Sequence, residues 1–406
     1  MDIETLNALR SPSGLPSHPV IFLILLVVTW TLHILAVQVM LGSTALSVIG
    51  VFVNDGFMRK LGNIMLNTAK VAVSIAIVLG VAPLLFVQVI YDPFWYVSNV
   101  LSARWVIAFI FILLAAYWAM YHRYFASKDN ADDQQSGRWS LVASLVLLLL
   151  VGFIMHVLVS QMLRPELWMG WYAPGGHIDS TGSTLHEFNL WRFIYFISLS
   201  VPVIGAWLIA YRQYLGLHGP NATFSYWVGR LGTRLMSAGG LASLLFYVLW
   251  LSTLPDSAAS FTGSIWALLM LGATLVLALC PLLNSCGRSD YYIAAVAAVA
   301  VLCIAMGREA LRIGILHGVH GYNLFDYPVH FDAYSTLLFF GTFIFLGLPA
   351  VAYSIVISWE SGRTIGIYTA SPLVTRLGSI SLVALGVWIA QYFLFGFMVL
   401  LQGEGR

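Results

Sequence analysis

Charge is scarce in this chain. Of its 406 residues only 9% are Asp, Glu, Lys or Arg, against roughly 25% in a soluble domain. So little charge cannot cover a water-facing surface, and a net charge of +2 gives no strong basic field, so no nucleic-acid partner is expected. Cysteine is nearly missing too. Cys280, Cys286 and Cys303 make no CxxC or CxxCH pattern, which argues against covalent c-type haem and a cysteine metal site. The period-2 alternation of barrel strands is also missing.

Long apolar runs take their place. Hydrophobic residues make up 60% of the chain, in stretches long enough to cross ~30 Å of hydrocarbon. Ten spans are expected, at roughly 19–53, 66–91, 103–124, 139–164, 188–215, 226–252, 262–284, 290–311, 332–358 and 376–402. The predicted fold class is therefore all-α, a polytopic transmembrane helical bundle in contact with membrane lipid. The first run is too long for a cleavable signal peptide and is expected to stay as an anchor. With the N-terminus outside, twelve Lys and Arg fall on the inner side and seven on the outer, as the positive-inside rule prefers. No internal repeat is evident, so the expectation is a single integral membrane domain over 1–406. The polar insert SKDNADDQQSGR (127–138) reads as a solvated linker, and the larger outer segments are 164–192 and 317–332.

An ionisable side chain inside a membrane is costly and reads first as functional. The deep candidates are His33 and His156. At ~1.5 Å per residue both fall about 12–20 Å below the outer surface. Two histidines at one depth suit axial ligation of a b-type haem in an apolar slot. Hydrogen bonding to a neighbouring helix is the alternative for each. Arg104, Arg164, Arg192, Arg308 and Arg312 close spans on the outer side. That is an excess where the positive-inside rule would deplete them. Arg fits a carboxylate bidentately, so these residues suit haem propionates; Asp92, Glu166, Glu187 and Glu309 are alternative partners. His186 opens the fifth span and is a weaker ligand candidate. His177, His317, His320 and His330 offer a second haem or a metal as a lesser alternative. His18, His122 and His218 read as interfacial.

Two stretches carry a resemblance. TWTLHILAVQVMLGSTALSVIG (29–50) resembles the first helix of cytochrome bd oxidase subunit I, and AMGREALR (305–312) resembles its E-x-G-R-Q-P-W signature. As topology the likeness covers roughly residues 18–316, with an extra helix pair over 332–402. It implies that His33 matches the first-helix haem ligand, and that Gly307 and Arg308 match the Gly-Arg of the signature. Ala305 stands where that family has a ligating glutamate, and Glu309, Ala310 and Leu311 stand at its Gln-Pro-Trp. Met306 is one residue past the ligand position and points about 100° away on an ideal helix, so it reads as packing before ligand. The acidic residues of the third helix and the long quinol loop are missing.

The resemblance implies an integral subunit of a respiratory electron-transfer complex in the bacterial inner membrane. Such a subunit binds b-type haem and exchanges electrons with a periplasmic c-type cytochrome or a quinone, and this one lacks a complete bd-type oxygen-reduction site. The alternative is a haem-free scaffold that anchors periplasmic redox subunits. A terminal oxidase and a transporter are weaker readings.

Overall fold

The computed structural model describes residues 3–129, 136–216, 222–282, 290–363 and 367–403. Cys286 and His218 lie outside the described residues. Ten helices are long and apolar enough to cross a membrane, and among the described residues there is no strand, only one isolated bridge. The chain is a multi-pass helical membrane protein.

The helices follow one another in order: α1 (Ile3–Ala8), α2 (Pro19–Phe52), α3 (Gly56–Ile90), α4 (Asp92–Leu101), α5 (Ala103–Asp129), α6 (Arg138–Gln161), α7 (Trp168–Tyr172), α8 (Leu190–Ser198), α9 (Ser200–Leu215), α10 (Ala222–Leu251), α11 (Ile265–Leu279), α12 (Tyr291–Gly318), α13 (Ala333–Gly341), α14 (Leu348–Arg363) and α15 (Pro372–Gly403). They fall into two compact units. One holds residues 1–12 and 19–327; the other holds 13–18 and 328–406.

In the larger unit α2 is the hub, packed against α3, α6, α9 and α12. The helix has 34 residues, so at ~1.5 Å per residue it is about 50 Å long. It needs no amphipathic pattern, because lipid accepts its exposed apolar side chains and neighbouring helices accept the rest. Its small and polar residues, Gln38, Gly42, Ser43, Thr44, Ser47 and Gly50, are all buried. Close approach is built the same way between α9 and α10. A Cβ on Gly205 would lie 2.5 Å from the backbone nitrogen of Met236, so only glycine lets these two backbones meet.

Three boundaries differ from expectation, each for a physical reason. Helix α3 begins ten residues earlier than predicted, because Asp55 caps it by accepting from the Met58 N–H at 2.7 Å. The fifth span is broken at Leu199 into α8 and α9. Pro202 sits in the first turn of α9 and has no N–H to give the Ser198 carbonyl. Helix α12 does not stop at its arginines but runs on to Gly318. Its opposite end is held by Asp290, which accepts two hydrogen bonds from Arg212 at 2.5 and 2.7 Å.

The smaller unit is a helical hairpin. Helix α13 leads through a π-type turn over Thr342–Gly347 into α14, and α15 packs against it. Trp388 Nε1 donates to Thr342 Oγ1 at 2.9 Å and Gln391 Nε2 to the Tyr334 hydroxyl at 2.8 Å. Leu15 bridges Val329 in the same unit.

Candidate functional site

The sites of interest cluster where α4, α8 and α12 meet the segment 161–189. Arg308, Glu309 and Arg312 lie on one stripe of α12, since residues three and four apart share a helix face. Arg192 reaches them from the first turn of α8, whose N-cap Asn189 accepts from the Arg192 backbone N–H at 2.9 Å.

Glu309 is the centre of the cluster. Its side chain is 3% exposed, and Arg312 Nη1 lies 3.1 Å and Arg308 Nη1 3.6 Å from its Oε2. Its Oε1 accepts from the Tyr91 hydroxyl at 2.7 Å. Arg308 also stacks on Trp30, 4.2 Å from the ring centroid, and Arg312 lies 5.1 Å from the Tyr91 centroid. Arg192 Nη1 donates to Ser160 Oγ at 3.3 Å. Three arginines thus face one carboxylate, and two positive charges have no counter-ion inside the cluster. Arg312 Nε is buried with no hydrogen-bond partner among the described residues.

Arg192, Arg308 and Arg312 border a cavity of about 270 Å³, which Ser160, Asn189, Trp250 and His320 also line. Arg164 lies on its rim and is already neutralised, at 2.7 Å from Glu166 and 4.0 Å from Glu187. A buried cation without a partner costs several kcal/mol. Four arginines against three carboxylates, Glu166, Glu187 and Glu309, leave one positive charge in excess at the cavity, an arrangement that suits an anion.

The two membrane histidines differ in what their rings are doing. His33 Nδ1 lies 2.9 Å from the Ala76 carbonyl. A carbonyl only accepts, so Nδ1 carries the proton and Nε2 keeps its lone pair. A backbone carbonyl on one ring nitrogen is the arrangement that orients a ligating imidazole. The ring rests on Gly80, where a Cβ would come within 2.9 Å of it. Trp30, which carries Arg308 on its face, is one turn away on the same helix. His156 is the reverse case: its Nε2 accepts the Asn189 backbone N–H at 3.1 Å. That lone pair is taken, and the ring packs against Phe153 and Phe193. His33 fits an axial ligand of a haem; His156 in this arrangement does not, and serves instead to hold the N-terminus of α8.

The other candidates scatter. Arg104 is exposed, and its backbone N–H donates to the Gly182 carbonyl; it does not line the cavity. His186 stacks on Trp171 at 5.1 Å, and partial burial holds it below the ordinary imidazole pKa. His320 sits 3.5 Å from Glu166, yet desolvation outweighs that carboxylate and lowers its pKa as well. His177, His317 and His330 are exposed. Among the described residues no group of three His, Cys, Asp or Glu could hold a metal ion. Met306 is 37% exposed and Ala305 is 1% exposed, so neither enters the cluster.

Three residues that complete the region were not singled out from the sequence. Tyr91 gives Glu309 its hydrogen bond, and its place at the end of an apolar run beside Asp92 is an ordinary interfacial pattern. Trp30 lies three residues before His33, a spacing that does place both on one face. Gln161 joins the surrounding segments: its Oε1 accepts from Ser102 Oγ at 3.1 Å and from the His186 N–H at 2.8 Å, and its carbonyl accepts from Trp168 Nε1 at 2.9 Å. No protein family, curated protein or solved structure matches this chain, so the likeness to cytochrome bd oxidase rests on the two short stretches alone.

Proposed function

We propose that this membrane protein is a subunit of a respiratory electron-transfer complex of the bacterial inner membrane. In this reading it carries one b-type haem on His33 and exchanges electrons with a periplasmic c-type cytochrome or a quinone. The observation that supports it most is a match of charge and position. Arg308, in a cluster where arginines outnumber carboxylates, stacks on Trp30 one helical turn from the His33 imidazole, whose Nδ1 is engaged by the Ala76 carbonyl, and a b-type haem offers two carboxylates and an iron. The cavity suits the carboxylate edge. The turn that carries His33 is flanked by exposed apolar side chains, Val28 at 43%, Leu32 at 49% and Val81 at 53%, which suit the hydrocarbon surround of a macrocycle.

Bound there, the haem would supply reversible one-electron transfer. The protein's own residues would do the rest. Ala76 fixes the His33 tautomer, Arg308 and Arg192 would hold carboxylates, and Glu309 offsets the repulsion between the arginines while leaving the cluster electropositive. A positive surround stabilises the reduced, less positive iron and so raises a potential. Ala305, with no lone pair, stands where a further ligand would be needed, so oxygen reduction is no part of this reading.

The haem-free scaffold is favoured by one observation, the engagement of His156 Nε2 by Asn189. A reduced-minus-oxidised spectrum with haem extraction separates the two. One b-type haem in the purified protein, lost in His33→Ala and kept in His156→Gln, is the expected result. A preparation with no Soret band and no extractable haem would leave the scaffold standing.

A further inference from the structure

Helix α10 has two faces already occupied. Gly232 and Gly239 meet α9, where added Cβ atoms would lie 2.8 Å from the Gly205 carbonyl oxygen and 2.6 Å from Val201 Cγ1. Gly240 meets α11 as closely, with Ala278 Cα 2.6 Å from such a Cβ. A third stripe carries Tyr226, Arg230, Arg234, Leu241, Leu245 and Val248, all of them exposed. Steps of three, four or seven residues separate them, the spacing of one helix face. On an ideal helix Arg234 points about 120° from Gly240 and about 160° from Gly232, so the stripe is turned away from both neighbours.

The two arginines are the unusual members of that stripe. Gly229 abuts the Arg212 side chain, and Arg212 holds Asp290 at 2.5 and 2.7 Å. Arg230 is level with that pair, and the Asp290 carboxylate is already taken. Arg234 lies one turn deeper, roughly 6 Å, in a helix apolar enough to cross a membrane. Neither guanidinium makes an ion pair or a hydrogen bond with the described residues. An arginine on an exposed face of a membrane helix is unfavourable unless its charge finds a polar partner, and two arginines four residues apart repel each other. One anion shared between them offsets both effects.

We propose that Arg230 and Arg234 bind the head group of an anionic phospholipid whose acyl chain lies along Leu241, Leu245 and Val248. The stripe selects an amphiphile, since charge and then hydrocarbon follow one another along it. Residues four apart have Cβ atoms about 5–6 Å apart, so both guanidiniums reach one phosphodiester, and Arg matches phosphate oxygens bidentately. Tyr226, one turn nearer the water, stands at head-group level as interfacial tyrosines do. From Arg234 to Leu245 is eleven residues, about 16 Å, one leaflet's share of ~30 Å of hydrocarbon. A water-soluble anion would use the arginines and leave the apolar part of the stripe idle. Trp250, at the opposite end of α10, lines the arginine cavity, so the two sites are separate and the lipid site does not depend on the haem reading.

Native mass spectrometry of the full chain in detergent, titrated with phosphatidylglycerol or with phosphatidylcholine of identical acyl chains, tests the proposal. Phosphatidylglycerol is expected to bind the more tightly, with one firmly held copy per chain. Each arginine is expected to contribute about fivefold, so Arg230→Gln with Arg234→Gln should weaken phosphatidylglycerol roughly thirtyfold and leave phosphatidylcholine unchanged. Arg59→Gln, near the start of α3, should alter neither. Equal binding of the two lipids, or a preference that survives the double variant, would overturn the proposal. So would inorganic phosphate that displaces the lipid at equal concentration, which marks a site for free anions, or a dimer that is lost in the double variant, which assigns the stripe to a second copy. The comparison of the two lipids on the unaltered protein decides if the double variant fails to fold.

Discussion

Replacing Glu309 by Gln tests the electrostatics of the cluster most directly. The change keeps the shape of the side chain and the acceptor for Tyr91, but removes the one negative charge among Arg192, Arg308 and Arg312. Arg312 and Glu309 are each 3% exposed in their side chains and 3.1 Å apart, so solvent screens them little. Removing one partner of such a pair costs about 3–5 kcal/mol, because the remaining charge stays buried. The second arginine at 3.6 Å places the expectation at the upper end of that range. Reversible unfolding in mixed detergent micelles, read by near-ultraviolet circular dichroism, gives the number. The double variant Glu309→Gln with Arg312→Gln restores the original charge excess, and the two changes are expected to couple by about 1–3 kcal/mol in a double-mutant cycle. A loss under about 1 kcal/mol, or strict additivity of the two changes, would refute the picture of a tightly coupled buried cluster.

Further expectations follow from other parts of the fold. His186 and His320 both have pKa values below the ordinary 6.5 through burial, so the native state resists their protonation. Stability is then full above about pH 6.5 and falls as the pH drops from there towards the native values, because the unfolded chain binds the protons first. His186→Gln should flatten that slope in unfolding titrations, and an unchanged slope would remove His186 from the explanation. Gly205→Val should cost at least about 1–3 kcal/mol by overpacking, since its first added carbon would stand 2.5 Å from the Met236 nitrogen and 2.7 Å from the Gly232 carbonyl oxygen; a wild-type melting midpoint would contradict that close crossing.

The fold class was legible because hydropathy is a strong signal: runs that must span lipid leave almost no freedom in where they lie. Helix ends were less legible. The start of α3 depended on one Asp cap in a polar turn, and the end of α12 was obscured by charges that read as a terminus. Those charges remain helical because Glu309, Arg308 and Arg312 pair with each other along the same face. The arginines were legible as a class, yet not as a group. Spacing brings Arg308 and Arg312 together, but only tertiary packing adds Arg192 and leaves Arg104 outside. The two histidines look alike in sequence, each alone in an apolar helix. What separates them is which nitrogen meets a carbonyl and which meets an N–H, and that depends on Ala76 and Asn189, residues whose side chains play no part in it.

Helix α12 is continuous from Tyr291 to Gly318, about 42 Å of rod, and is gripped near both ends by charge. Arg212 holds Asp290 at one end, and Tyr91 holds Glu309 towards the other. A rod clamped in this way moves as a lever and not as a spring. A sideways shift at the Arg212 end would tilt the stripe that carries Arg308 and Arg312, so the two faces of the membrane share one mechanical element.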